Sequence, residues 1–115
     1  MMASNLHRLF AAVVAVAAVA AGSAGARALD GNRLYELCRP NSRSSEFCDD
    51  YVMNIAERLM VGRVAGWTAC IPAHLTDDQV VDAAKQFLEA HPARRRSAAL
   101  GLVAEALAEA YPCRR

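Results

Sequence analysis

No stretch of this chain alternates apolar and polar residues over any length, which removes sandwich and barrel folds from consideration. There is no paired CxxC of the kind that frames structural zinc. A glycine-rich phosphate loop and a GxSxG elbow are also missing, so neither nucleotide chemistry nor a serine hydrolase is indicated. Long apolar runs are scarce too. The longest, Leu9 to Ala21, has 13 residues and is mostly alanine, against roughly 20 needed to cross a bilayer. Charge imbalance is the last absence: 13 Lys and Arg stand against 12 Asp and Glu. A near-neutral surface gives no electrostatic reason to expect nucleic acid or an anionic membrane as partner.

What is present begins with a three-part leader. Met1 to Arg8 carries one basic side chain, the apolar run follows, and Ala24-Gly25-Ala26 has the small-x-small form of a signal peptidase site. Residues 1–26 are therefore expected to be a cleaved signal peptide, with Ala28 as an alternative boundary, and residues 27–115 the working domain. No cysteine stands at the cleavage site, so a lipid anchor is not expected. The expected location is the periplasm. A domain this short buries a limited core and needs staples. All four cysteines, Cys38, Cys48, Cys70 and Cys113, lie in it. In an oxidising compartment they imply two disulfides, with three connectivities open.

The remaining pattern is helical. Leu29 to Cys38 is a short candidate with Asp30 as N-cap, and Arg39-Pro40-Asn41-Ser42 breaks it. Ser44 or Ser45 can cap a second helix, with Glu46, Asp49 and Asp50 favouring the dipole of its first turn. Cys48, Tyr51, Val52, Ile55 and Leu59 form its apolar stripe, and Gly62 and Gly66 end it. Thr76-Asp77-Asp78-Gln79 is a capping box for a third helix, with Leu75 and Val80 set as a staple. Val80, Val81, Ala84, Phe87 and Leu88 share its inner face, and His91-Pro92 stops it. A fourth helix starts between Pro92 and Ser97 and runs to Ala110, with Leu100, Val103, Leu107 and Ala110 as its stripe. Gly101 within it suggests a close helix approach. The expectation is an all-α, disulfide-stapled bundle of about four helices.

The layout pairs the cysteines. Helices three and four share a short connection and run antiparallel, which brings Cys70 near Cys113. Cys38 ends helix one and Cys48 opens helix two. The predicted bridges are Cys38–Cys48 and Cys70–Cys113.

Oxidised cysteines cannot serve as nucleophiles. The two histidines beyond the leader, His74 and His91, sit in a loop and at a helix end, and the Asp49-Asp50 and Asp77-Asp78 pairs read as dipole-stabilising acids. Neither an enzyme nor a cofactor or metal is expected. Binding is the better reading, with several candidate contacts. Arg94-Arg95-Arg96 is either a solvated loop before a helix capped by Ser97, or a charged contact for an acidic surface. Met53, Met60 and Leu102 stand out of register with their stripes and read as core edge or as a dimer or partner interface. Trp67 reads as a cover for one end of the core or as an interface hot spot.

Three stretches in order resemble the Rap/Tai immunity protein family: Cys70-Ile71-Pro72, Thr76 and Gln79; Phe87 through Pro92; and Ala106-Leu107 with Tyr111-Pro112-Cys113. Asp30-Gly31, Leu34, Cys38 and Cys48 through Val52 fit the same pattern. The resemblance implies a periplasmic, all-helical protein, often a homodimer, that binds a type VI secretion peptidoglycan amidase and blocks its cleft. One position departs: where family members commonly carry glycine, three residues after Tyr51, this chain has Asn54. Two rival readings are an acid-stress periplasmic chaperone of the HdeA kind, which would dissociate and expose apolar surface near pH 2 to 3, and a structural envelope protein.

Overall fold

A computed structural model describes residues 28–114; the expected leader lies outside them. Four helices account for the architecture: α1 (Gly31–Leu37), α2 (Ser45–Val61), α3 (Asp77–Ala90) and α4 (Ala99–Ala110), with a 3-10 turn at Pro92–Arg94. Among the described residues there are no strands, only the isolated bridges Asp30–Ala98 and Val64–Trp67. No described helix is long and apolar enough to cross a membrane. Helices α2, α3 and α4 pack on one another, and α1 lies against all three.

The third helix forms for local reasons. Thr76 Oγ1 accepts from the Gln79 amide at 3.3 Å and Gln79 Oε1 accepts from the Thr76 amide at 2.9 Å. The reciprocal pair satisfies two amides that a helix start otherwise leaves open. Val80, Val81, Ala84, Phe87 and Leu88 are all buried on the inner face. In α1, Asp30 Oδ1 caps the Arg33 amide at 2.8 Å, and Leu34 is fully buried.

The start of α2 differs from the expectation. Ser44 occupies the N-cap with φ −102° and ψ 9° and makes no side-chain cap bond. Its backbone is not the extended form in which a hydroxyl reaches the next amides. Asp49 and Asp50 lie beyond the first turn, where only Glu46 is acidic, so the dipole explains neither. Trp67 is 39 % exposed and does not close the core; Val64, three residues earlier, is 2 % exposed and does. The two residues exchange backbone hydrogen bonds of 3.0 and 2.9 Å around Ala65 and Gly66, whose φ angles of 49° and 84° are left-handed.

The fourth helix departs most. Ser97 does not cap it: Ala98 is the N-cap, without a side-chain bond, and the Ala99 amide donates instead to the Leu29 carbonyl at 2.9 Å. The burial stripe is also wider than expected. Ala99, Leu102 through Leu107 are buried, Leu100 is half-buried and Ala110 exposed. A helix flanked by three others buries most of its circumference, so periodicity cannot mark one face. Leu102, read as core edge or as an interface contact, is 2 % exposed and belongs to the core, so the interface alternative falls. Gly101 is not a close-approach site, since a Cβ there would meet only Ala65 Cβ, at 3.9 Å.

The close approach is at Gly31. A Cβ there would sit 2.5 Å from Leu102 Cδ1 and 2.9 Å from both the Cα and carbonyl oxygen of Arg95. The backbone is drawn in by two bonds, Gly31 N–H to Ser97 O at 2.9 Å and Asn32 N–H to Arg95 O at 2.8 Å. Gly31→Ala is expected to lower stability by about 1–3 kcal/mol through overpacking, read as a fall in the urea midpoint. Gly101→Ala should lower it not at all, because it adds helix propensity in open space.

The cysteine pairing is as predicted. Cys38 and Cys48 form one disulfide, and Cys70 and Cys113 the other.

Candidate functional site

No thiol is free, because all four cysteines are bridged, and among the described residues no group of three His, Cys, Asp or Glu is placed to hold a metal ion. His74 is exposed. The ring of His91 lies 4.2 Å from that of Phe87, centroid to centroid. Its Nδ1 donates to the Phe87 carbonyl at 2.8 Å, since a carbonyl can only accept. This imidazole closes the end of α3.

The three arginines that follow do not act as one patch. Arg94 folds back and pairs with both carboxylate oxygens of Glu105, and its guanidinium carbon lies 5.5 Å from the Phe87 ring centroid. Arg95 lies over Tyr35, 4.0 Å from the ring centroid, with its Nε buried and unpartnered. Arg96 is exposed and makes no ion pair among the described residues. The acceptor was missed because Glu105 reads as an exposed acid; it is 8 % exposed. A carboxylate surrounded on its helix by Ala, Leu and Val, eleven residues after an arginine, was the available signal.

The Arg94 hydrogen bonds hold the Glu105 carboxyl below its usual range, against the opposing effect of burial, with the Arg94 and His91 charges adding to the lowering. The same bonds push the Arg94 guanidinium up. A carboxyl that is more acidic folded than unfolded stabilises the fold above its unfolded value, here 4.5, and that contribution is lost as the pH falls through the folded value. Glu105→Gln is therefore expected to lower the urea midpoint at pH 7, by a margin that narrows as the pH falls below 4.5. A constant difference from pH 7 to pH 3 would contradict the assignment.

The exposed surface with binding character runs along α2. Phe47 and Tyr51 are stacked with ring centroids 5.9 Å apart, Phe47 is 48 % exposed and Val61 90 %, and Asn54 and Arg58 are exposed between them. Residues 47, 51, 54, 58 and 61 share one side of a helix at 3.6 residues per turn. On one flank a shallow depression of about 290 Å³ is lined by Phe47, Tyr51, Ile55, Arg58 and Leu100. On the other, a groove of about 510 Å³ between α2 and α3 carries the carboxylates of Asp49, Asp50, Glu57, Asp77 and Asp78 around Met53 and Val81. None of these five acids has an ion-pair partner among the described residues. Asp50 and Asn54 border both depressions. Burial raises the Tyr51 phenol above its ordinary value, opposed by the Arg58 charge.

Met53 thus lies half-buried in the groove, and Met60, 56 % exposed, follows seven residues later on nearly the same side of α2. Leu102 is inside the core. Tyr51, expected within the apolar stripe, is only half-buried, and Ala56 takes the buried place. Asn54 adds its side chain to open surface rather than to a packed contact within the chain.

A family model described as Rap1a immunity proteins matches residues 30–113. The match starts at the α1 cap and ends at the last cysteine, so it spans all four helices and both bridges. No curated protein and no solved structure matches.

Proposed function

The chain belongs to the Rap1a immunity protein family, whose members bind a partner effector, and on that premise we propose that it neutralises a type VI secretion peptidoglycan amidase by covering the catalytic cleft. The family match across residues 30–113 carries this reading. Its site of action is the periplasm, supported by the leader pattern at residues 1–26 and by two disulfides, which persist in oxidising compartments. The protein works by occlusion rather than catalysis, and it acts as a homodimer.

The contact surface is the outward side of α2 with the groove beside it. Phe47, Tyr51, Met53, Asn54 and Val61 supply apolar and adaptable contact area, of the kind that anchors interfaces. Met60, exposed and seven residues after Met53, extends it along the helix. Arg94 and Arg95 are already engaged with Glu105 and Tyr35 and are not part of it.

A protection assay tests the reading. A periplasm-directed amidase effector is expressed in a sensitive host, with this chain supplied with or without residues 1–26. Exported protein should restore growth and the leaderless form should not. Lysis that persists with abundant exported protein would refute the proposal.

A further inference from the structure

The two disulfides stand in opposite environments. Cys38 and Cys48 are 4 % and 1 % exposed and sit within the hydrophobic core, in the company of Leu34 and Val52. Cys70 and Cys113 are both exposed and lie outside that core. Thiol–disulfide exchange requires a thiolate to reach a sulfur of the bridge, so access separates the two by rate.

What the outer bridge holds is equally distinct. It joins the loop between α2 and α3 to the segment after α4, across 43 positions of sequence. Beside it, the Cys70 amide donates to the Tyr111 carbonyl at 2.8 Å. Upstream, the loop is anchored by Val64, 2 % exposed, and Ala69, 7 % exposed. The fully buried residues Leu34, Val52, Leu88, Val103 and Leu107 all come from helices, and the inner bridge still ties α1 to α2.

We propose that Cys70–Cys113 is a redox-labile strap, opened by a dithiol protein reductant while the helical core and the Cys38–Cys48 bridge stay intact. A reductant thiolate attacks one sulfur, forming a mixed disulfide and expelling the other cysteine as a thiolate, which takes up a proton. The second reductant thiol loses its proton, attacks the mixed disulfide and leaves as the internal disulfide of the reductant; the remaining cysteine is protonated. Two electrons and two protons pass to the chain. The opened form differs at one end of the bundle, where the residues from Cys70 to His74, beyond the Val64 and Ala69 anchors, and those beyond Tyr111 are released.

The test uses purified oxidised protein with thioredoxin, its reductase and NADPH at 20 °C, quenched at intervals with N-ethylmaleimide and mapped by peptide mass. Cys70 and Cys113 should be alkylated at least tenfold faster than Cys38 and Cys48. The helical circular dichroism should persist, and exchange of the Cys70 amide should accelerate at least tenfold. The Cys70→Ser, Cys113→Ser double variant should reproduce that exchange pattern without reductant. Simultaneous opening of both bridges, opening of neither without urea, or loss of helical signal as the outer bridge opens would each overturn the proposal.

Discussion

Leu107→Ala is expected to cost about 3–5 kcal/mol and to be the most damaging single truncation in the core. Leu107 is fully buried in a helix that packs against α1, α2 and α3 at once. The cost has two parts: the transfer free energy of the removed carbons, and the cavity left where the surroundings cannot collapse. Collapse is hindered here because α4 is held at both ends. Its first amide is bonded to Leu29, and its far end is tied through Cys113 to Cys70. Urea unfolding followed by circular dichroism measures the loss. Val61→Ala, at a residue 90 % exposed, should change the midpoint by less than about 0.5 kcal/mol. Equal effects at the two sites would mean that α4 is not the centre of the fold.

Removing the outer bridge, by Cys70→Ser with Cys113→Ser, should cost about 4 kcal/mol. Closing a loop across a separation of 43 restricts the unfolded chain more than closing one across 10. By the same chain-entropy account, losing Cys38–Cys48 costs just under 3 kcal/mol, to which leaving polar hydroxyls in the core adds. The contrast is in kind as well as size. Loss of the outer bridge should lower stability through the unfolded state and leave the folded core unchanged. Loss of the inner one should also disturb the packing around Leu34 and Val52. Calorimetric midpoints of the two double variants, with proton chemical shifts of the core methyl groups, separate these effects.

How far the fold was legible follows from where each element draws its determinants. Everything that starts α3 lies between Leu75 and Val80, so its capping box and inner face could be read directly. The bridges were legible because a short α3–α4 connection dictates antiparallel neighbours, and that alone brings Cys70 to Cys113. The start of α4 was not, since the acceptor for its first amide is the Leu29 carbonyl, at the other end of the described chain. Its stripe misled for a related reason: a helix enclosed on three sides leaves no polar face to mark a boundary. Gly31 stood in the sequence only as part of the family pattern, and the crossing of Arg95 and Leu102 explains it.

The candidate surface was half visible. Met53 stood out as an off-stripe apolar residue and lies in the α2–α3 groove, whereas Leu102 stood out for the same reason and is buried. Helical phase says that a residue leaves the main stripe; it does not say whether another helix is waiting there. The Arg94-Arg95-Arg96 run likewise dissolved once Glu105 and Tyr35 were in place, because the charge of a segment is legible and its partners are not. Phe47 and Val61, which end the exposed side of α2, carried no signal beyond being apolar.

Titration of the purified protein into a purified amidase effector, taken from the reading frame beside its gene, tests the immunity reading most directly, with binding heat and peptidoglycan hydrolysis followed together. Saturable binding of nanomolar affinity is the expected result, with hydrolysis extinguished at the stoichiometric point. An amidase that neither binds nor slows in the presence of excess protein would contradict it.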